Sequence, residues 1–420
     1  MKKYISLVLS LLLLIPIMTG CGRKKLEEPI ELIIANDIHY ISPTLVNYTA
    51  HNAVEEIDPI SRDGKIVHYI PEITDAFLAE VIEKQPKALI ISGDLTMNGA
   101  LVSHEELVKK LLAVKDAGVD VLVIPGNHDV DRTAVDYSGD ELKEAPATDS
   151  AKFIELYAPL NPESVSRDEV SQSFIYEASK ELWVLMLDTN TYGQNFVKDT
   201  TLTWVEEQLA KAQDKKIDVI AVSHQNLYAH STMLSFGYQL YNADKLRELY
   251  EKYDVRCNFS GHIHIQSIID NVEVPEIVTS SMAITGTHYG KILYNGKQID
   301  YSAESVNVSA YAQKQGWDNP DMIDFAKYAE DYFKLCARLQ VSADGDIANN
   351  KYTAEETNLM KDTYAAINTA YFEGRPINEK AHKDGISLWR HDKDNFVAKY
   401  IDSMLESGKK DHRFIKITLK

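Results

Sequence analysis

The chain has 420 residues, of which 45% are hydrophobic and 25% are charged, and its formal net charge at pH 7 is -19. These fractions are typical of a globular protein, and the length favours two domains or one large domain with an appendage. Because the charge is strongly negative and no basic stripe is apparent, a long nucleic acid is excluded as a partner, whereas a compact phosphate ester held by metal ions is permitted.

The first segment of the chain has the features of an export signal. Two lysines precede an apolar run that ends at Met18, and this run is shorter than the roughly twenty residues of a membrane-spanning helix. The following Thr-Gly-Cys21 resembles a bacterial lipobox. We therefore predict a lipoprotein signal peptide over residues 1–20, lipidation of Cys21 and a short tether over 21–30, with an ordinary signal peptide or a short anchor as the alternatives. Lipidation predicts a protein anchored at the extracytoplasmic face of the bacterial cell membrane.

Residues 31–304 alternate between strand and helix patterns, which predicts an α/β domain. A first helix is predicted over 72–83. A second helix is predicted to begin at Ser103, which has capping-box spacing to Glu106. Between 266 and 301, short runs separated by proline and glycine predict antiparallel strands and hairpins.

After Ser305 the pattern changes to helices alone, so residues 305–420 are predicted to form a helical C-terminal domain. Thr353 and Glu356 have the spacing of a capping box. The apolar stripes of these helices indicate packing, either as a small cap domain or as a brace for the α/β domain. Cys257 and Cys336 lie in a strand pattern and on a helical stripe, which favours small buried residues over a disulfide.

Five predicted strands end in polar residues that can bind metal ions. These endings are Asp37-Ile-His39, Gly93-Asp94, Gly126-Asn127-His128-Asp129, Ser223-His224 and Gly261-His262-Ile-His264. In open α/β sheets the carboxyl ends of strands face the ligand crevice, so these side chains are expected to converge. A lone histidine is more often a satisfied polar residue than a ligand, but five such endings predict a centre for divalent metals that activate water.

The order and spacing of these five blocks resemble the calcineurin-like metallophosphoesterases, over about residues 31–301. The resemblance implies a four-layer α/β/β/α sandwich with two sheets. It implies that one metal ion is held by Asp37, His39, Asp94 and His264, and the other by Asp94, Asn127, His224 and His262. It also implies that His128 lies near the leaving group.

The expected chemistry is attack on phosphorus by a hydroxide that bridges the two ions. His128 is expected to stabilise or protonate the leaving oxygen, and Asp129 either orients His128 or has a structural role. Imidazole and carboxylate ligands suit manganese or iron, with one ion of each as an option, and zinc is also compatible.

Within the resemblance, the blocks around Asp94 and Asp129 are most similar to those of bacterial phosphodiesterases that include cyclic nucleotide enzymes. We predict a small phosphate diester as substrate, and export favours extracellular nucleotides or envelope diesters over intracellular cyclic AMP. The alternatives are a phosphomonoesterase or nucleotidase on the same metals, and a non-catalytic envelope binding module. No oligomeric state is indicated. Loop residues that could contact the substrate, or simply lie at the surface, are Tyr40, His68, Tyr69, His230 and His288.

Overall fold

The computed structural model describes residues 23, 25–48, 63–191, 195–234, 236–343, 347, 351–391 and 394–419. The predicted signal peptide and Cys21 lie outside these described residues. Within the described ranges, no helix combines the length and the hydropathy needed to cross a membrane.

The strands form two large sheets and one small hairpin. In chain order they are β1 Ile30–Ala35, β2 Ala88–Ser92, β3 Asp120–Ile124, β4 Val135–Asp136, β5 Lys143–Glu144, β6 Ser166–Arg167, β7 Phe174–Ser179, β8 Leu182–Leu187, β9 Asp218–Ser223, β10 Asn258–Ser260, β11 Ser267–Ile269, β12 Glu276–Val278, β13 His288–Tyr294, β14 Gln298–Ser305 and β15 Phe414–Thr418. The first sheet has the order β15-β14-β13-β1-β2-β3, and the second has the order β11-β12-β10-β9-β8-β7-β6. The hairpin is β4-β5.

The α-helices of the described chain fall into two groups, before and after the last hairpin of the α/β region. In chain order they are α1 Ile70–Lys84, α2 Leu101–Asp116, α3 Ser150–Tyr157, α4 Asp199–Lys215, α5 Ala243–Lys252, α6 Val308–Gln315, α7 Pro320–Ile323, α8 Phe325–Ala343, α9 Ala354–Phe372, α10 Lys383–Arg390 and α11 Phe396–Ser407. The first five helices alternate with strands along the chain, whereas the last six follow one another without a strand between them.

Alternating side chains of the central strands enter two different cores, because successive residues of a strand point to opposite faces. In β1, Ile33 packs with the helices α1 and α2, whereas Leu32 and Ile34 pack against the second sheet. The outer face of the second sheet is covered by α4 and α5. The chain therefore has the predicted layers of helix, sheet, sheet and helix, and the predicted α/β/β/α fold is confirmed.

The helices after β14 pack in two places. Helices α6 to α8 join the core on the outer face of the first sheet, through residues such as Val308 and Phe325. Helices α8 to α11 form a separate core that also contains Ile263 and Ile265 of the α/β region. The helical pattern of this region was predicted, but β15 was not. It pairs antiparallel with β14, so the chain returns to the first sheet near its end.

The two predicted capping boxes have different outcomes. Thr353 caps α9, and its reciprocal bond with Glu356 is present, as predicted. The box at Ser103 and Glu106 is wrong, since α2 begins at Leu101. Ser103 instead accepts a hydrogen bond from the backbone of Ser42.

Candidate metal centre

Four predicted ligands meet just beyond the carboxyl ends of β1, β2 and β10. The ligand atoms of Asp37, His39, Asp94 and His264 all lie within 4.8 Å of one another. The Nε2 atoms of His39 and His264 are 3.0 Å apart, and Nε2 of His264 is 3.6 Å from Oδ1 of Asp37. This arrangement suits one metal ion.

A second group shares Asp94 with the first. Asp94, His224 and His262 also place their ligand atoms within 4.8 Å of one another. Oδ1 of Asp94 is 3.3 Å from Nε2 of His224, whereas its Oδ2 lies 4.0 Å from Nε2 of His39. The amide oxygen of Asn127 is 3.1 Å from Nε2 of His224. Asp94 thus presents one oxygen to each group, which is the position of a bridging carboxylate.

The backbone at this edge adopts conformations that most side chains avoid. Asp37, His39, Asp94, His262 and His264 all have φ between +48° and +69°. Left-handed conformations of non-glycine residues cost about 1 kcal/mol or more each, and they persist where the surrounding structure determines them. Their concentration at the two ligand groups indicates a site whose side-chain directions are fixed by the fold.

Two glycines allow these backbone segments to approach one another closely. A Cβ at Gly126 would lie 2.1 Å from the backbone nitrogen of Asp94 and 2.2 Å from its Oδ1. A Cβ at Gly261 would lie 2.7 Å from Oδ2 of Asp37. In both places the missing side chain is what lets a ligand carboxylate occupy its position.

Backbone carbonyls fix the ring orientation of two histidines. His224 donates through Nδ1 to the carbonyl of Ser92 at 2.9 Å, so its Nε2 faces Asp94 and Asn127. His262 donates through Nε2 to the carbonyl of Gly237 at 3.0 Å, which leaves Nδ1 as the ligand atom. Such contacts to the second ring nitrogen set the tautomer of metal-binding histidines.

The chemistry of the donor set fits two divalent cations. Asp37 and Asp94 are almost completely buried. Burial, with the charge of Asp94 adding to it, raises the pKa of Asp37 to about 7. Burial opposes protonation of His224, but the carboxylate of Asp94 outweighs it and raises the pKa of His224 to about 9. Burial lowers the pKa of His39, His262 and His264, so these imidazoles are neutral and their lone pairs are available to metal ions.

The structure separates the roles of His128 and Asp129. The ring of His128 lies 5.0 Å from the ring of His39, edge to face, and its Nδ1 donates to the carbonyl of Met97 at 2.8 Å. Asp129 does not orient this ring. Its carboxylate accepts hydrogen bonds from the backbone of Leu95, Thr96 and Gly126, and so ties together the turns that carry the ligands Asp94 and Asn127. The predicted catalytic role of Asp129 is therefore replaced by a structural one.

The five proposed substrate-contacting residues are not brought into the centre. Tyr40 points its hydroxyl at Glu106, at 3.0 Å. His230 is buried and lies 3.0 Å from Glu276, whose carboxylate also accepts hydrogen bonds from two backbone amides of the loop after β9. These two side chains serve local structure, because their polar atoms already have partners.

The other three lie against the C-terminal helices. His68 contacts the hydroxyl of Tyr328, and Tyr69 donates to Asp321 at 2.7 Å. His288 lines a cavity of about 240 Å³ at the side of α8. Burial, followed by the charges of two nearby arginines, lowers its pKa to about 4. Its predicted contact with substrate is therefore not supported.

Two residues near the centre were not predicted. The ring of Tyr238 lies 5.1 Å from the ring of His262. Lys65 is buried, and its charge, after burial, is the second cause that lowers the pKa of His39 and His264. Neither residue follows a predicted strand. The one signal for Lys65 is its place at the start of the apolar run that leads into α1.

Two family models match the chain. The calcineurin-like phosphoesterase model matches residues 30–266, which is more than half of the chain. The model described as the C-terminal domain of cyclic nucleotide phosphodiesterase matches residues 307–411.

The individual relatives share low sequence identity with this chain. The glycerophosphodiester phosphodiesterase GpdQ of Enterobacter lignolyticus is 27% identical over 187 residues, which span 44% of this chain and 58% of that protein. Among solved structures, a dimetal phosphatase from Danio rerio aligns with a TM-score of 0.49 at 10% identity, over 66% of this chain and 97% of its own. A purple acid phosphatase from yellow lupin aligns with a TM-score of 0.44 at 13% identity, over 66% of this chain and 52% of its own.

The family match covers every block that contributes to the two ligand groups, from Asp37 to His264. The family uses two divalent metal ions, and both groups are intact here. The chain therefore belongs to the calcineurin-like phosphoesterase family.

Proposed function

We propose that the enzyme is a phosphodiesterase that hydrolyses small phosphate diesters, with cyclic nucleotides as one substrate class. The observation that carries the proposal is the match of residues 307–411 to the C-terminal domain of cyclic nucleotide phosphodiesterase, the segment that contains α6 to α11. Part of this segment packs on Ile263 and Ile265, which alternate with the ligands His262 and His264. A glycerophosphodiesterase among the relatives also supports a diester substrate.

The chemistry divides between the ions and the protein. When bound, the two ions activate water and neutralise negative charge on the phosphoryl group. Asp94 holds the two ligand groups together, and Asn127 adds a neutral oxygen beside His224. His128 has Nδ1 committed to the carbonyl of Met97, which leaves Nε2 for the leaving oxygen.

The ligand types also bear on the identity of the ions. The first group supplies two carboxylates and two imidazoles, and the second supplies a carboxylate, an amide oxygen and two imidazoles. This mixture of hard oxygen and imidazole donors suits manganese and iron. We propose that the ions are manganese, iron or one of each. The test is reconstitution of the metal-free protein with manganese, with iron or with zinc, followed by measurement of the activity per bound ion.

Substrate preference is tested by hydrolysis of bis(nitrophenyl) phosphate and of nitrophenyl phosphate, with the protein lacking residues 1–21 and reconstituted with manganese. A higher kcat/KM for the diester supports the proposal and leads to a comparison of cyclic and linear nucleotides. A higher value for the monoester refutes it in favour of a phosphomonoesterase or nucleotidase. If the protein binds manganese and hydrolyses neither ester, the result favours the non-catalytic binding module.

We further propose that the protein is anchored by lipid at the extracytoplasmic face of the cell membrane through Cys21. The support is the lipobox-like sequence that precedes this cysteine. The test is metabolic labelling with a radioactive fatty acid, followed by fractionation, of the wild-type chain and Cys21→Ala. Label and membrane association that depend on Cys21 support the anchor, and equal label in both chains refutes it.

A further inference from the structure

Asp218, the first residue of β9, is a buried carboxylate that binds the segment before β1. Its side chain is 4% exposed, and Nη1 of Arg23 lies 2.6 Å from its Oδ2. Nε of Arg256 lies 2.9 Å from its Oδ1, and the hydroxyl of Tyr294 donates to Oδ2 at 2.7 Å. Charge-assisted bonds to a buried carboxylate are stronger than those of a surface ion pair, so Arg23 is docked on the protein.

Leu26 attaches the same segment at a second point. Its backbone donates to the carbonyl of Asn295 at 2.9 Å. Its side chain packs against the core between the two sheets. The predicted tether is therefore bound to the α/β region at both Arg23 and Leu26.

The docking place lies at the edge of the sheets opposite the metal centre. Strand β9 runs from Asp218 to the residue before the ligand His224. A strand rises about 3.3 Å per residue, so these two residues are about 20 Å apart. In the first sheet Tyr294 pairs with Ile30, where β1 begins, whereas the ligand Asp37 follows the other end of β1. The docked segment and the ligands thus lie at opposite ends of the same strands.

The chain between the docked residue and the proposed lipid is very short. Only Gly22 separates Arg23 from Cys21. Two residues of chain span at most about 7 Å. Acyl chains on Cys21 would enter the bilayer and hold this residue at its surface. A docked Arg23 then brings the edge that carries Asp218 to the same surface.

The charge of this edge is compatible with an anionic bilayer. A cavity of about 380 Å³ lies beside the docked segment, and its charged lining residues are three cations and three carboxylates: Arg23, Lys25, Lys216, Glu27, Glu181 and Asp218. These charges balance, although the whole chain has a net charge of -19. This part of the surface therefore avoids the repulsion that the rest of an acidic protein meets at anionic lipids.

We propose that the edge carrying Asp218 is a membrane-facing surface, on which the docked Arg23 holds the protein with its metal centre turned away from the bilayer. The inference rests on the proposed lipidation of Cys21, and it narrows the substrate class of the proposed function. Diesters dissolved outside the cell reach the centre, whereas phospholipids of the anchoring membrane lie at the opposite edge.

The test is fluorescence quenching with the lipidated protein in vesicles of phosphatidylcholine and phosphatidylglycerol, in which part of the head groups carry a nitroxide. One fluorophore is attached through Lys297→Cys, because Lys297 is exposed and lies two residues from Asn295 on the docked edge. Cys257 and Cys336 are buried, and Cys21 carries the lipid, so the introduced cysteine takes the label.

The matched position beside the metal centre is Phe236→Cys. The Phe236 side chain is 90% exposed, and the carbonyl of its neighbour Gly237 accepts the hydrogen bond from His262. A nitroxide quenches only fluorophores close to the head groups. Relative to vesicles without nitroxide, we expect strong quenching at position 297 and little at position 236. Equal quenching at both positions, or stronger quenching at 236, overturns the inference.

Two changes in the tether test whether docking causes this orientation. An insertion of about ten Gly and Ser residues after Gly22 keeps the docked contact but adds a flexible span of about 17 Å, so quenching at position 297 should fall. Arg23→Ala lets the chain between Cys21 and Leu26 extend to about 17 Å, with the same expected effect. The control Lys25→Ala removes an exposed cation of the same segment and should match the wild type. Unchanged quenching in both the insertion variant and Arg23→Ala overturns the inference.

The kinetic counterpart is kcat/KM for the soluble nitrophenyl diester, which should be equal for the vesicle-bound protein and the protein lacking residues 1–21. A large fall on the vesicles would show that the bilayer covers the centre and would overturn the inference. Failure of the protein to float with the vesicles refutes the lipid anchor and this inference together. A preference for monoesters in solution contradicts the proposed function alone, because it does not change the quenching.

Discussion

The geometry at Gly126 leads to a prediction that can be worked out from distances. In Gly126→Ala the new Cβ would lie 2.1 Å from the backbone nitrogen of Asp94, whereas real Cβ atoms stay at least 3.0 Å from such atoms. The two segments must therefore separate by about 0.9 Å. Metal-ligand distances tolerate only about 0.2 Å, so the bridging carboxylate is displaced by several times its tolerance. We expect manganese affinity to fall at least 100-fold and turnover to fall about as much.

The measurement is manganese content after dialysis against a series of free-metal concentrations, together with kcat for the nitrophenyl diester. The control is Gly139→Ala, because a Cβ at Gly139 meets no atom closer than 3.8 Å and the residue does not have a positive φ. The control should keep both ions and full activity. Two tightly bound ions and normal turnover in Gly126→Ala refute the bridging position of Asp94.

Three further outcomes are expected. His128→Ala should retain both ions yet lose about 10²- to 10⁴-fold in kcat, and loss of metal instead would show that His128 is misassigned. Ile265→Ala should lower the free energy of unfolding by about 2–5 kcal/mol and should also weaken manganese binding. The control Ile386→Ala, in the same core, should lower the free energy of unfolding without changing manganese binding. Equal manganese affinities in the two variants contradict a link between this core and the ligands. Burial lowers the pKa of His104 to about 4, so the unfolded chain takes up a proton that the folded chain refuses as the pH falls from about 6.5 to 4. Urea unfolding of the metal-free protein at pH 7 and pH 5 should show a smaller loss of stability on acidification in His104→Gln than in the wild type, and equal losses refute this role.

The sequence predicts the ligands of the centre well because each is presented by the end of a strand. Asp37 follows β1, Asp94 follows β2 and His224 follows β9, and a strand pattern fixes both the end of the element and the edge to which it points. The local sequence is therefore sufficient to predict these ligands. The α/β class is predictable from the alternation of strand and helix patterns, whereas the four layers are predicted only through the family resemblance.

The contacts of the remaining residues depend on distant parts of the chain. His230 lies 46 residues from its partner Glu276, and the backbone of Ile66 donates to the carbonyl of Ala283, which is more than 200 residues away. No local pattern encodes such pairings, so the sequence does not distinguish polar loop residues that serve structure from those that contact a substrate. The strand β15 has a local signal, since Phe414–Thr418 alternates between apolar and polar residues, but this signal is short and follows a long helical region.

The loop from Gly261 to Gln266 explains why a helical C-terminal region accompanies this metal centre. Its residues alternate, with His262 and His264 in the two ligand groups and Ile263 and Ile265 in the core of α8 to α11. Gln266 then anchors the loop, because its backbone donates to Phe372 at the end of α9 and its side chain donates to the carbonyl of His412, both at 2.9 Å. The loop provides one ligand to each ion and has left-handed backbone at both histidines, a conformation that needs support from its surroundings. The C-terminal helices contribute to that support, so we expect a change in their packing to disturb both ligand groups.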